Sequence, residues 1–308
     1  MSQFLADLLL LLVTLVWGTT FVIVRNAIRE IGPLTFVGVR FFIGGTILLI
    51  WYLSKRSFSR KTLTTPGEVS PSRVPVKAVI TGVVLSFAYI TQTLGLLSVP
   101  AGKAAFITGL SVVIVPLASS LILGMKPGWA AGLGIIAATA GLFIMSVKPP
   151  FSLVGGDILV FLCAVGFAAH IILVGEFSPG IDPYYYAAVQ LLTVALTSIS
   201  LALFLERPFS VPRQSYWAIL FTGVFATAGA FFIQSWVQRY TSATHTALIF
   251  SAEPVFGAIF AWYWAGESLS AREIFGAGLV LAGMLMSEIE TFRQERVKDG
   301  ERAHDAAE

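Results

Sequence analysis

The chain has 308 residues and a mass of 33.1 kDa; 56% of its residues are apolar or aromatic, only 12% are charged, and its mean hydropathy is +0.83. An average soluble chain is about 25% charged because a folded surface must be solvated, so this composition excludes a soluble globule and indicates an integral membrane protein. A single cysteine, Cys163, and three histidines exclude a disulfide framework, a four-thiolate zinc site and a cysteine-held iron-sulfur cluster, and the net charge of +3 carries no nucleic-acid signature.

Apolar stretches follow one another along the chain, each near the ~20 residues that cross a ~30 Å hydrocarbon core. Ten spans are predicted, at 5–24, 33–53, 78–97, 102–124, 129–147, 155–175, 183–205, 215–237, 243–265 and 272–289. The first has no basic leader and no small-x-small cleavage site, and a second span follows at once, so it reads as a mature helix. Connections are short except at 54–77, where Pro66, Gly67 and Pro71 break any helix and Lys55, Arg56, Arg60, Lys61, Arg73 and Lys77 collect. With the N-terminus inside, 12 Lys and Arg fall on the cytoplasmic side and 7 opposite, with Arg40 left inside the second span. Both termini are therefore expected in the cytoplasm.

The two halves resemble each other. Shifting 78–146 by 142 positions superposes three spans of each half without a gap, with identities that include Ala88/Ala230, Gln92/Gln234, Val113/Val255, Gly134/Gly276 and Gly141/Gly283. Further back the offset grows to about 150, pairing Pro33 with Pro183 and Arg40 with Gln190. Two five-helix repeats are expected, over 5–147 and 153–290, followed by a charged cytoplasmic tail at 291–308. Five is odd, so the second repeat enters the membrane from the opposite side, an arrangement of secondary transporters whose substrate site lies mid-membrane between the repeats.

Trp17-Gly18, Pro33 followed by Arg40, the segment Gln238-Arg239-Tyr240-Thr241-Ser242 leading to Ser251-Ala252-Glu253-Pro254-Val255, Gly266-Glu267, and the glycines at 276, 278 and 283 resemble the EamA-type members of the drug/metabolite transporter superfamily. The resemblance spans about residues 5–290 and implies an all-α polytopic fold of ten helices in two inverted repeats. It also implies a central cavity, export or exchange of small metabolites such as amino acids, and a place in a bacterial plasma (inner) membrane. Where the second half has Gly266-Glu267 the first has Gly124-Met125-Lys126, so any role of that acid is absent from the first repeat.

Ionisable groups in hydrocarbon are costly, and those present usually face a bundle interior or a wet cavity. Glu253 lies near the midpoint of its span beside Pro254, whose ring removes a backbone hydrogen bond and leaves the Phe250 carbonyl free. It is a candidate proton carrier or ligand for a substrate ammonium; the alternative is a bracing contact, for instance to Arg40. Arg40 is in turn a candidate for a substrate carboxylate or phosphate, or for an internal ion pair, and its neutral repeat partner Gln190 is a candidate cavity residue. Gln92 and Gln234, with Tyr89 and Gln238 at helical spacing, are expected to line two walls of a cavity, or else to bond between helices. Trp17 and Trp236 are candidate flat walls, whereas Trp51, Trp129, Trp217, Trp262 and Trp264 read as interfacial anchors. His170 is a second candidate for proton coupling or substrate contact. Glu267 is expected to cap the last helix with Ser268 or Ser270.

A secondary transporter of small polar metabolites is the leading reading, with no cofactor, metal or nucleic-acid partner, working in the lipid bilayer as a monomer or weak homodimer. The alternatives are efflux of small drugs or cations, an intramembrane lipid-modifying enzyme, and a channel or scaffold. The sequence holds neither the paired acids or His/Asp cluster such an enzyme needs within a short loop nor a Gly-x-x-x-x-Gly-Lys-[Ser/Thr] loop for ATP, and its few, unlike polar groups do not make a selectivity ring.

Overall fold

A computed structural model describes residues 3–58, 74–124, 128–146, 154–207, 209–265 and 270–286. The described elements are helical: α1 (Gln3–Ala27), α2 (Pro33–Phe58), α3 (Val74–Gly95), α4a (Ala101–Gly109), α4b (Ser111–Leu123), α5 (Trp129–Ser146), α6 (Gly155–Phe177), α7 (Pro183–Leu205), α8 (Arg213–Val237), α9a (Ala243–Phe250), α9b (Glu253–Ala265) and α10 (271–286). Among the described residues, eight helical stretches are long and apolar enough to cross a bilayer, and Trp129–Met145 is a shorter apolar one. The long connection expected at 54–77 is shorter than predicted, because α2 continues to Phe58 and α3 begins at Val74. Lys55 and Lys77 therefore sit on helices, their ammonium groups 4.5 and 5.1 Å from the rings of Tyr184 and Phe177. The last span, expected to reach 289, is helical to 286, and Glu267, Ser268 and the charged tail lie outside the described residues.

Helix starts follow local chemistry. Asp182 caps α7 by accepting from the backbone N–H groups of Tyr184 and Tyr185, with Pro183 in the first turn. The matching start of α2 has Gly32 in place of the aspartate. There Glu206, from the end of α7, accepts from the N–H groups of Leu34 and Thr35 at 2.7 and 2.8 Å. Ser270 and Glu273 form the reciprocal cap of α10; of the residues expected there Ser270 takes part, while Glu267 and Ser268 lie outside the described residues.

Two long spans are broken. The fourth divides at Leu110 and the ninth at Ser251–Ala252, so the second pieces begin at Ser111 and Glu253, which are 142 positions apart. α8 departs from α geometry too, running as a π-helix over Thr222–Gly229. Packing joins the halves throughout: α2 lies along α7, α3 along α6 and α7, and α1 crosses α9b. That last crossing requires Gly18, since a Cβ there would come within 2.8 Å of the Glu253 carbonyl oxygen.

α5 and α10 meet glycine to glycine. A Cβ on Gly134 would lie 2.5 Å from the Gly283 carbonyl oxygen, and one on Gly141 would lie 2.5 Å from that of Gly276. Without a hydrophobic drive between helices in lipid, such close approach is what holds them together. Gly134→Leu and Gly141→Leu are each expected to cost about 1–3 kcal/mol by overpacking, seen as a lower midpoint of thermal unfolding in detergent; an unchanged midpoint would refute this contact.

Candidate functional site

Both broken helices and the π-helical part of α8 border one cavity, together with α1, α2, α3 and α6. It encloses about 60 Å³, room for a few water molecules and well below the several hundred Å³ of an ordinary ligand pocket. Of the residues singled out in the sequence, Trp17, Arg40, Tyr89, Gln92, His170, Gln234 and Glu253 line it.

Arg40 projects from α2, about a third of the way along the helix, and is 4% exposed. Its guanidinium carbon lies 5.4, 5.1 and 4.8 Å from the ring centroids of Phe36, Phe41 and Tyr89. Among the described residues these π faces are the compensation the protein supplies: Nε is buried without a hydrogen-bond partner, and no ion pair to Arg40 occurs there. The bracing contact considered between Arg40 and Glu253 is not formed.

Glu253 is not in a helix interior, as its span suggested. α9a ends at Phe250, and Glu253 is the first residue of α9b, where a carboxylate complements the positive end of the helix dipole. Pro254 has no N–H to return to the Phe250 carbonyl, and the Ser251 hydroxyl turns back to the Leu248 carbonyl at 2.6 Å. Proline is not the whole cause of such a break, since α4 divides at Leu110 while its only proline, Pro116, sits inside α4b. Ser111, at the start of α4b, holds on the cavity wall the place that Glu253 holds in the second half.

The remaining polar groups form two short networks behind the wall. His170 Nε2 lies 2.8 Å from Gln190 Oε1, and Gln190 donates to Ser235 Oγ at 3.1 Å. Gln234 donates to Gln238, which donates to the Ile171 carbonyl. Gln190 and Gln238 are thus buried supports that do not reach the cavity. Trp236 is also off the wall: it stacks on Phe232, which stacks on Tyr184, along the outside of α8. Gln92 bonds weakly to Thr108 at 3.4 Å. Thr20, Thr108, Ser111, Phe167 and Phe231 line the cavity as well and carry no charge to flag them in an apolar span. For Ser111 a signal did exist, its 142-residue spacing from Glu253.

The two rims differ. At one, the starts of α1 and α9a are tied by Asp7 to His245 at 2.9 Å and by Gln3 to Thr241 at 3.1 Å. At the other, Lys103 of α4a meets Asp157 of α6 at 2.7 Å. Arg239, in the turn between α8 and α9a, is half-buried with Nε and Nη2 unpartnered; burial lowers its pKa from the ordinary guanidinium value, with Asp182 and Tyr240 acting in the other sense.

Comparison with known proteins agrees with this architecture. The profile of the EamA-like transporter family matches residues 4–147 and again 154–288. The chain is 30% identical over 281 residues to an uncharacterized transporter of Archaeoglobus fulgidus, covering 91% of this chain and 85% of that one. It is 26% identical to the uncharacterized transporter YoaV of Bacillus subtilis, over 92% and 97% of the two chains. It is also 27% identical to protein PagO of Salmonella typhimurium, over 87% and 88%. A solved crystal structure superposes with a TM-score of 0.77 at 18% identity, covering 96% of this chain and all of that one, which speaks for the fold. Two profile matches that together cover nearly the whole of an apolar, multi-span chain mean that this protein belongs to the EamA-like transporter family.

Proposed function

We propose that this multi-pass membrane transporter is a secondary exporter or exchanger of small zwitterionic metabolites, amino acids first among them. In this reading two inverted five-helix repeats, 5–147 and 153–290, alternate access to the cavity between them, with both termini in the cytoplasm of a bacterial cell and the chain in its plasma membrane. The observation that carries it is the pairing of an unpartnered cation, Arg40, with a carboxyl, Glu253, on the wall of one cavity. A buried guanidinium with a free N–H is poised for a carboxylate, and a carboxylate at a broken helix for an ammonium. The breaks at Ser111 and Glu253 support the repeat, because interrupted helices in corresponding positions border the substrate in transporters of this architecture. So does the crossed pairing of Gly134 with Gly283 and Gly141 with Gly276, in which each glycine meets the repeat mate of the other pair. An organic cation without a carboxylate would meet Arg40 uncompensated, which weighs against cation efflux.

Purified protein in liposomes loaded with an unlabelled neutral amino acid is expected to accumulate the labelled amino acid by counterflow. A panel of neutral amino acids that gives no counterflow above empty liposomes would overturn this reading.

A further inference from the structure

The cavity is too small for a metabolite, so its walls must separate, and one wall has an unusual backbone. π-Helix is rare and occurs mainly as single turns, yet here it runs for eight residues, Thr222–Gly229, where α8 crosses α2 behind Arg40. A Cβ on Gly223 would stand 3.1 Å from the Arg40 carbonyl oxygen, so this part of α8 is pinned against α2. Under the 142-residue shift the corresponding segment of α3, residues 80–87, is plain α-helix.

Two contacts distinguish the π form. Trp17 of α1 donates its indole N–H to the Ala226 carbonyl at 2.8 Å. Thr227 loses a bond: its Oγ1 is buried and unpartnered. Many threonines in α-helical segments return their hydroxyls to the carbonyl four residues back, as Thr14 does to Leu10 at 2.8 Å and Thr93 to Tyr89 at 2.7 Å. In an α-helical segment Thr227 would reach Gly223 in the same way.

We propose that the segment Thr222–Gly229 is a π-to-α switch that moves the cavity wall during transport, with Trp17 as the positioning residue that holds it in the π form. This rests on the two-repeat, alternating-access reading, in which each repeat takes the other's conformation when the protein faces the opposite side; α3 then displays the form that α8 adopts. A π segment behaves as one inserted residue, and its loss turns the C-terminal remainder of the helix by one residue, about 100°. With the start of α8 pinned, Phe231 turns off the cavity towards the side where Phe232 now stacks on Tyr184. Gln234 turns to the place of Ser235, beside Gln190. Ala230 and Ile233 replace them on the wall, and exchanging phenylalanine for alanine opens it.

The test uses purified full-length protein in a Cys163→Ala background, with Ile233→Cys or Gln234→Cys and a small, polar, thiol-reactive reagent. Trp17→Phe keeps the ring that packs on Phe231 and Phe250 and removes the donor. It is expected to lower labelling at position 234 several-fold and raise it at 233. Thr227→Val removes the hydroxyl that only the α form satisfies and is expected to shift both in the opposite sense. Labelling that stays constant, or rises together at both positions as general loosening would produce, overturns the switch. The labelling pattern is read whether or not a substrate is moved, so absent counterflow would sink the transport reading and leave the switch to be judged by its own signature.

Discussion

Replacing Arg40 with glutamine is expected to weaken recognition of carboxylate-bearing substrates about 10–100-fold while leaving the fold as stable as before. The first part follows from the loss of a charge-assisted hydrogen bond, about 1.5–3 kcal/mol, each 1.4 kcal/mol being tenfold. The second rests on the surroundings of Arg40. A buried guanidinium with a mate would take about 3–5 kcal/mol of stability with it when removed, because the mate would be stranded. Arg40 has aromatic rings on three sides and a buried Nε without a partner, so nothing is stranded. Cation–π contacts of about 0.5–2 kcal/mol are lost, and the desolvation cost of a buried charge disappears with them. Counterflow at varied substrate concentration gives the first quantity and thermal unfolding in detergent the second. A large drop in stability with unaltered apparent affinity would make Arg40 a structural residue. Arg40→Lys is expected to rescue only in part, since an ammonium does not present the planar fork that matches a carboxylate.

Glu253→Gln is expected to have the second large effect, and of a different kind. The side chain keeps its size and its place at the start of α9b, losing only the favourable interaction of a charge with the helix end, about 0.3–1 kcal/mol. Stability should barely move. Recognition of a substrate ammonium should fall about 10–100-fold, and the cavity loses a carboxyl able to exchange a proton. Counterflow by the variant is therefore expected to vary less with pH than that of the native protein. Among amines, the loss should be greatest for substrates with a free ammonium and smallest for N-acylated analogues of the same size. Native-like pH dependence together with native-like affinity for the free amine would remove Glu253 from the mechanism. Arg40→Gln and Glu253→Gln are read separately because the two side chains make no ion pair, so each variant leaves the other group as it was.

Much of this site was legible in the sequence because polarity is so rare in it. Arg40 and Glu253 stand out in apolar spans because placing a charge in hydrocarbon is costly, and both reach the cavity. Gln92 and Gln234 were visible as repeat mates and also reach it. Which face each residue occupies was much less legible. Amphipathic periodicity gives a soluble helix its phase, but a span that is apolar all round has almost none to read. Gln190, Trp236 and Gln238 were therefore placed on the wall, whereas the first and last support it from behind and the tryptophan stacks outside. For Trp236 and Gln238 the uncertainty was compounded by the π segment, which offsets the phase of α8 after Thr222.

What the sequence determined by itself is the solvent in which this chain folds and the approximate limits of its spans, since these depend on local composition along the chain; residue spacing added the expectation of two related halves. Tertiary structure alone decided that the fourth and ninth spans break, that α8 runs as a π-helix, and that Arg40 and Glu253 share a cavity without pairing. A break or a π turn leaves backbone groups to be satisfied by the protein itself, since lipid offers no partner, and for Ala226 the partner is Trp17, on a helix distant in sequence.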